Sequence, residues 1–248
     1  MINDTGNETN NILTIESLNV HYGDFQALYD VSVNIRKGAV TSIIGSNGAG
    51  KTTFLNTLMG INKPTSGAIK LNGLDITGAR TSNIVARGVT MSPEGSSIFE
   101  DMTIRENLLM GAYLPHARKR KNELLEKAFS LFPDLREKSG QLASFLSGGQ
   151  RQMLSIAKAI MTDPQVIICD ELSLGLAPVI VKDIYKKIEE VNAAGVTVIL
   201  VEQEVKRSLK HSDYSYILVK GRVVMEGPSG ELPEDEVSSA YFGVDKYA

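Results

Sequence analysis

The chain has 248 residues, a formal net charge of −3 at pH 7 and one cysteine. That length suits one large α/β domain with a small insertion, and the charge leaves no basic footprint for nucleic acid. A single cysteine excludes an internal disulfide and a cysteine metal cluster. We find no run of about 18 apolar residues that would predict a spanning helix, and no secretory signal. The polar residues 1–11 predict a disordered tail before a single domain at 12–248.

The first half of this domain predicts strands around one helix. Side chains at 13–37 alternate between apolar and polar, which predicts antiparallel strands. The apolar run 40–44 predicts a buried strand, and the apolar spacing from Thr53 onward predicts a helix. Residues 68–76 return to strand, and the Asn-Gly pair at 72–73 predicts a hairpin turn.

The second half predicts a helical insertion followed by more strands. A short strand at 89–91 precedes a helical region from Thr103 to about Ala159. Glu106 follows Thr103 by three residues, which is the spacing of a capping box that opens a helix. We therefore expect a helical subdomain at about 95–162. Further strands are predicted at 166–169, 196–201, 214–219 and 223–225.

The most informative motif lies between the buried strand and the first helix. Residues 45–52 fit the pattern G-x-x-x-x-G-K-[ST] of phosphate-binding loops, and the strand and helix on either side are the context that this motif requires. Glycines let several backbone N–H groups point at one anion, to which the helix N-terminus adds partial positive charge. Lys51 is predicted to reach the β- and γ-phosphates of a nucleotide, and Thr52 to hold magnesium (Mg2+). A glycine-rich turn without a ligand is the alternative. The predicted phosphate-binding residues are Gly45, Ser46, Asn47, Gly48, Ala49, Gly50, Lys51, Thr52 and Thr53.

A second motif ends an apolar run with two carboxylates. Residues 166–169 are typical of a buried parallel strand, and ligands bind beyond the carboxyl ends of such strands. Asp170 is therefore predicted to hold magnesium, through water. Glu171 is predicted to orient or deprotonate an attacking water molecule. The alternative is a strand that simply ends in an acidic turn.

A third motif opens a helix. The motif consists of Ser147, Gly148, Gly149 and Gln150. The run that follows it has the apolar spacing of a helix, so Ser147 is predicted to cap the start of that helix. The helix end again offers backbone N–H groups to an anion. An ordinary cap without a ligand is the alternative.

Together the three motifs, in the order loop, cap and acidic strand, resemble the ATP-binding subunits of ABC transporters over residues 13–243. The resemblance implies an α/β P-loop NTPase of ABC type, with a mixed sheet flanked by helices, an antiparallel β subdomain and a helical subdomain. It implies ATP and Mg2+ as cofactors. It also implies head-to-tail pairing with a second ATP-binding subunit, so that each ATP lies between the phosphate loop of one subunit and the serine cap of the other.

The same resemblance implies further partners and a location. These are two transmembrane permease subunits, a periplasmic binding protein that acts indirectly, and a peripheral position at the cytoplasmic face of the inner membrane. In this family a short permease helix enters a groove, which here would be lined by Glu94, Ser97, Ile98 and Phe99. Residues 98 and 99 could equally belong to the core.

Three more residues take their roles from the resemblance. Tyr22 stands where an aromatic ring stacks on adenine, although a buried core tyrosine is the alternative. Glu94 stands where most relatives have the glutamine that senses magnesium and the permease. Gln203 stands where most have a histidine that contacts the γ-phosphate, and it joins Glu171 as a predicted catalytic residue. Leu172 replaces a proline expected after Glu171, which puts the precision of water positioning in doubt.

These departures resemble one subgroup. The segments at 93–95, 173–178 and 201–203 are similar to the second (F-type) ATP-binding subunit of the branched-chain amino acid uptake system, which implies a heterodimer. Urea and amide importers have similar subunits and remain the alternative, together with other ABC transporters. A non-transport ABC protein is disfavoured, because the chain has one phosphate loop and no sustained heptads.

Overall fold

The computed structural model describes residues 10–95 and 97–241. Their elements form two compact units, one from the described parts of 1–84 and 199–248, the other from 85–198. In chain order the elements are β1 (Asn11–Tyr22), β2 (Phe25–Arg36), β3 (Val40–Ile44), α1 (Lys51–Leu58), β4 (Ser66–Leu71), β5 (Leu74–Asp75), α2 (Thr81–Ala86), β6 (Val89–Ser92), α3 (Ile104–Gly111), α4 (Pro115–Lys119), α5 (Lys121–Leu131), α6 (Pro133–Glu137), α7 (Gly148–Ile160), β7 (Val166–Asp170), α8 (Pro178–Ala193), β8 (Thr197–Glu202), α9 (Val205–Lys210), β9 (Tyr214–Val219), β10 (Arg222–Pro228) and α10 (Glu234–Tyr241).

An antiparallel sheet with the order β2-β1-β4-β5 lies in the first unit. The residues of β1 and β2 alternate between core and surface over much of their length, as their sequence pattern predicts. Asn72 and Gly73 have φ values of 49° and 76°, which is the left-handed geometry of the predicted hairpin turn between β4 and β5. This sheet is the predicted antiparallel β subdomain.

A second, mixed sheet in the first unit contains β3, β9 and β10. β3 runs parallel to β9, and β10 runs antiparallel to β9. All five residues of β3 are buried, which explains its unbroken apolar sequence and is expected of a strand covered on both faces. The predicted α/β fold with a mixed sheet is confirmed.

The second unit combines a short parallel pair of strands with helices. β6 and β7 pair in parallel from Val89 opposite Val166 to Ser92 opposite Cys169. Cys169 is buried, as the sequence predicts. None of the helices in the described residues is long and apolar enough to cross a membrane.

The predicted helical region is broken into several short helices. Its first helix begins with the predicted capping box between Thr103 and Glu106. Pro115 and Pro133 each stand in the first turn of a new helix. Because proline lacks an N–H and clashes with the preceding turn, it starts helices readily but does not continue them. New helices therefore begin at these points.

One tyrosine hydroxyl ties the two sheets of the first unit together. Tyr216 on β9 is buried, its hydroxyl accepts the N–H of Asn34 on β2 at 2.9 Å, and it donates to the carbonyl of Asn34 at 3.2 Å. Burial raises the pKa of Tyr216 above its ordinary value, so the hydroxyl keeps its proton. The chain segments joined in this way are 182 residues apart.

We predict that Tyr216→Phe lowers the free energy of unfolding by about 1 kcal/mol, because both backbone groups of Asn34 lose their partner. Tyr214→Phe on the same strand keeps the neighbouring ring and serves as the control. Denaturant unfolding of both variants measures the difference. Equal stability of the two variants would show that the Tyr216 hydroxyl does not join the sheets energetically.

Candidate nucleotide site

The phosphate loop connects β3 to α1, as predicted. Gly48 and Gly50 have φ values of 80° and 108°, which other residues rarely adopt. Lys51 is only 5% exposed, and its Nζ donates to the carbonyls of Gly45 at 2.7 Å and Ser46 at 3.1 Å. The lysine therefore ties the end of the loop to its beginning and places a positive charge inside it.

The start of α1 is open to an anion. Its N-cap is Gly50, and no side chain among the described residues caps the helix. Asn47, Gly48 and Thr52 are exposed, so a ligand can reach the loop from outside. Uncapped N–H groups at a helix N-terminus carry partial positive charge and bind phosphate.

Tyr22 lies beside the beginning of the same helix. The residue is 49% exposed, which excludes the buried core tyrosine that the sequence left open. Its hydroxyl accepts from Asn62 Nδ2 at 2.5 Å and donates to Thr53 Oγ1 at 3.4 Å. These contacts hold an accessible aromatic ring next to the phosphate loop.

Gln203 is placed near the phosphate loop by the residue before it, Glu202. The carbonyl of Glu202, the last residue of β8, accepts the N–H of Gly45 at 3.2 Å. Gln203 follows directly and is partly exposed. The first unit thus brings together Tyr22, the phosphate loop and Gln203.

The acidic pair lies in the second unit. The first four residues of β7 are buried, while Asp170 and Glu171 are partly exposed. Glu171 has a φ of 46°, which is uncommon for a residue with a side chain and is often found at functional sites. Leu172 is buried at 1% exposure, so the residue that replaces proline anchors the turn by packing.

The serine cap is confirmed and has a second physical basis. Gln150 N–H donates to Ser147 Oγ at 3.4 Å, and Ser147 N–H donates to Gln150 Oε1 at 3.1 Å, which forms a capping box. A Cβ added to Gly149 would lie 2.1 Å from Cγ2 of Ile180, and one on Gly148 would lie 3.2 Å from Leu176. The glycines therefore also let α7 pack closely on the segment at the start of α8.

Comparison with known proteins agrees with this geometry. The pattern of the family described as "ABC transporter" matches residues 28–173, more than half of the chain. The chain belongs to the ABC transporter family. It is 40% identical to the high-affinity branched-chain amino acid transport ATP-binding protein BraG of Pseudomonas aeruginosa, over 94% of this chain and all of that protein.

Other ABC proteins support the same assignment. A probable branched-chain amino acid transport ATP-binding protein, LivF of Archaeoglobus fulgidus, is 35% identical over 91% of this chain and 95% of that protein. The crystal structure of an ABC transporter's ATP-binding cassette in its ADP conformation superposes with a TM-score of 0.80. It is 31% identical and covers 94% of this chain and 95% of that one. The chain is accordingly an ABC-type ATPase subunit.

In this ABC subunit, a pocket of about 250 Å³ collects several predicted residues of the second unit. It is lined by Glu94, the start of α7 at Gly148, and Glu171. Gln152 also lines it, is 7% exposed, and has an Nε2 with no hydrogen-bond partner among the described residues. A buried donor of this kind requires an acceptor, which a ligand or water in the pocket can supply. Sequence analysis missed Gln152, although its position one helical turn after Gly148 was an available signal.

The segment after Glu94 is held against α7. Phe99 is 45% exposed, which excludes the core alternative for this residue, whereas Ile98 is partly buried. Lys158 Nζ lies 4.3 Å from the centre of the Phe99 ring, and partial burial lowers the pKa of this lysine. Asn107 was missed by sequence analysis although it is fully buried: its side chain binds both the N–H and the carbonyl of Phe99, at 2.7 and 2.8 Å.

We predict that Lys51→Ala weakens ATP binding by about 1.5–3 kcal/mol, because a charge-assisted phosphate contact and the closure of the loop are both lost. Lys37→Ala, at an exposed position, is the control. Tyr22→Ala should weaken binding less and to a similar degree for ATP and GTP, since stacking needs only a flat ring. A nucleotide titration in which Lys51→Ala matches the parent chain would exclude the assigned loop.

Proposed function

We propose that the chain is the ATP-hydrolysing motor subunit of a membrane importer for branched-chain amino acids. The observation that carries this proposal is the phosphate loop closed by Lys51, in a chain whose relatives BraG and LivF are named for branched-chain amino acid transport. The departures at Glu94 and Gln203 from the usual ABC residues also match that subgroup. The subunit would sit at the cytoplasmic face of the inner membrane, attached through two permease subunits.

The proposed nucleotide site divides its tasks among few residues. The loop from Gly45 to Thr53 binds the phosphates of ATP, and Tyr22 stacks on adenine. Thr52 and Asp170 would hold Mg2+, and Glu94 is the third residue that we assign to this ion. An exposed hydroxyl at the start of α1 and a partly exposed carboxylate at the end of β7 fit this ion, which takes few protein ligands and prefers phosphate oxygens and water.

Hydrolysis is assigned to Glu171. The pocket beside it has polar as well as apolar walls and is large enough for water, and Gln152 supplies a buried donor there while Glu171 supplies an acceptor. A carboxylate in this position can orient a water molecule and take up its proton. Bound Mg2+ would neutralise charge on the phosphates during the reaction.

Pairing follows from the presence of two anion-binding helix ends in one chain. We assign the phosphate loop to the chain's own ATP and the Ser147 cap to the ATP of a second subunit. Glutamine at 203 cannot become cationic as imidazole can, so the chain's own site is less well equipped for hydrolysis than the one its cap completes. A heterodimer with a different ATP-binding subunit is consistent with such unequal sites.

Permease contact is assigned to the segment after Glu94. Phe99 is an exposed aromatic ring fixed by Asn107 and Lys158, and an exposed apolar side chain with a rigid backbone suits a docking surface. A periplasmic binding protein would act only indirectly, through the permeases. No nucleic acid is expected as a partner.

We predict that Glu171→Gln keeps ATP binding but removes most hydrolysis, because the water loses its carboxylate partner. ATP-bound dimers should accumulate, since the amide also removes a negative charge. Glu137→Gln, an exposed position, is the control. ATPase activity is measured in the assembled complex, and uptake of labelled leucine, isoleucine, valine and urea is measured in cells with the variant as the only copy.

Loss of all three amino acid uptakes with unchanged urea uptake is the expected result. Hydrolysis at the parent rate in the assembled complex would exclude Glu171 as the catalytic carboxylate. Loss of urea uptake with normal leucine uptake would contradict the proposed cargo and would identify urea as the transported substrate.

We also predict that Ser147→Arg impairs uptake and ATPase activity more than Gln203→Ala does. The arginine blocks the partner's nucleotide, whereas the alanine affects only the weaker site. Ser147→Ala is the matched control, because it removes the cap at a cost of about 1 kcal/mol in stability without adding bulk. Equal losses in the reconstituted heterodimer, or a larger loss from Gln203→Ala, would show that the sites are not unequal in this way.

A further inference from the structure

The hairpin between β9 and β10 makes direct backbone contact with the phosphate loop. Its turn residues Lys220 and Gly221 have φ values of 47° and 78°. The N–H of Gly221 donates to the carbonyl of Ala49 at 2.8 Å, and the carbonyl of Gly221 accepts the N–H of Tyr29 at 2.8 Å. The turn therefore links the loop on one side to strand β2 on the other.

Steric contacts explain why glycine stands at this position. A Cβ on Gly221 would lie 2.2 Å from the carbonyl oxygen of Ala27 and 3.1 Å from the ring of Tyr29. A Cβ on Gly50 would lie 3.4 Å from Cα of Gly221. Two glycines therefore face each other where the turn meets the loop. A side chain at 221 would clash with β2, so the turn could not keep the position from which it holds Ala49.

We infer that Gly221 is a positioning residue for the phosphate loop. The peptide bond between Ala49 and Gly50 is planar and trans, so its carbonyl and its N–H point in opposite directions. The hydrogen bond from Gly221 holds the Ala49 carbonyl toward the turn, which directs the Gly50 N–H to the other side. This inference rests on the proposed function, in which that N–H belongs to the group that binds phosphate.

Preorganised donors bind an anion better because no reorganisation is needed when it arrives. If the Ala49–Gly50 peptide can rotate, its N–H no longer points at the phosphate. Its carbonyl oxygen then turns toward the negatively charged phosphate, which weakens binding. Gly221, far along the chain, therefore contributes to ATP affinity by holding the loop and not by a contact of its own with the nucleotide.

Gly221→Ala tests this role, with Gly73→Ala as a closely matched control. Gly73 has a φ of 76°, also follows a residue with positive φ in a hairpin turn of the first unit, and would place its Cβ within 4 Å of nothing among the described residues. Both variants carry the strain of positive φ, but only Gly221→Ala clashes with β2 and so shifts the turn whose N–H holds Ala49. ATP affinity and melting temperature are measured on the full chain for both.

We expect the ATP dissociation constant to rise about tenfold for Gly221→Ala and less than about twofold for Gly73→Ala, when both are compared at a temperature at which both variants remain folded. In the assembled complex the KM for ATP should rise with kcat changing less. If Gly221→Ala unfolds at the assay temperature, both variants are made on a Lys220→Asn background, because asparagine tolerates left-handed geometry better than lysine.

The outcomes separate the inference from the proposed function. Weak ATP binding by Lys51→Ala together with normal binding by Gly221→Ala would overturn the positioning role alone. Normal binding by Lys51→Ala would overturn the phosphate loop itself. An equal loss of affinity in Gly221→Ala and Gly73→Ala would show that turn strain, and not contact with the loop, is responsible.

Discussion

Backbone hydrogen bonds that fix the directions of the phosphate loop are the constraint on which the site depends. The loop is anchored at its start by Gly45 N–H on Glu202, near its end by Gly221 N–H on Ala49, and at the helix by Phe54 N–H on Gly50. None of these bonds uses a side chain. An anion site built from N–H groups works only if those groups cannot turn away, so the sheet and the hairpin serve the loop directly.

Lys51 adds charge to this rigid frame. Its burial would be costly for an isolated ammonium group, and its hydrogen bonds to two loop carbonyls offset part of that cost. The same charge attracts the phosphates that the N–H groups orient. In the second unit, backbone strain positions a charged group. The positive φ of Glu171 directs its carboxylate out of a buried strand and into the pocket that Gln152 also lines.

Much of this arrangement could be predicted because it is encoded locally. The unbroken apolar run of β3, the hairpin at Asn72 and Gly73, and the capping boxes at Thr103 and Ser147 depend on neighbouring residues only. The loop and the acidic pair were recognisable for the same reason. The prolines that divide the helical region are local signals too, but apolar spacing alone predicts one continuous helical region and does not show where the helices break.

Other features depend on residues far apart in the chain and could not be predicted. The contact of Gly221 with Ala49 joins segments more than half the chain apart, and the glycine at 149 is required partly by Ile180 on the next helix. Tyr22 is exposed and bonded to Asn62, 40 residues away, and neither fact is visible in the local sequence around Tyr22. A single sequence contains these residues but not their distances.

A cryo-EM structure of the assembled transporter, carrying Glu171→Gln and trapped with ATP and Mg2+, tests the central claim most directly. We expect Lys51 of this chain to contact the phosphates of one ATP, and Ser147 of the same chain to contact the ATP bound by the partner subunit. A structure in which Lys51 and Ser147 of one chain contact the same nucleotide would contradict the account.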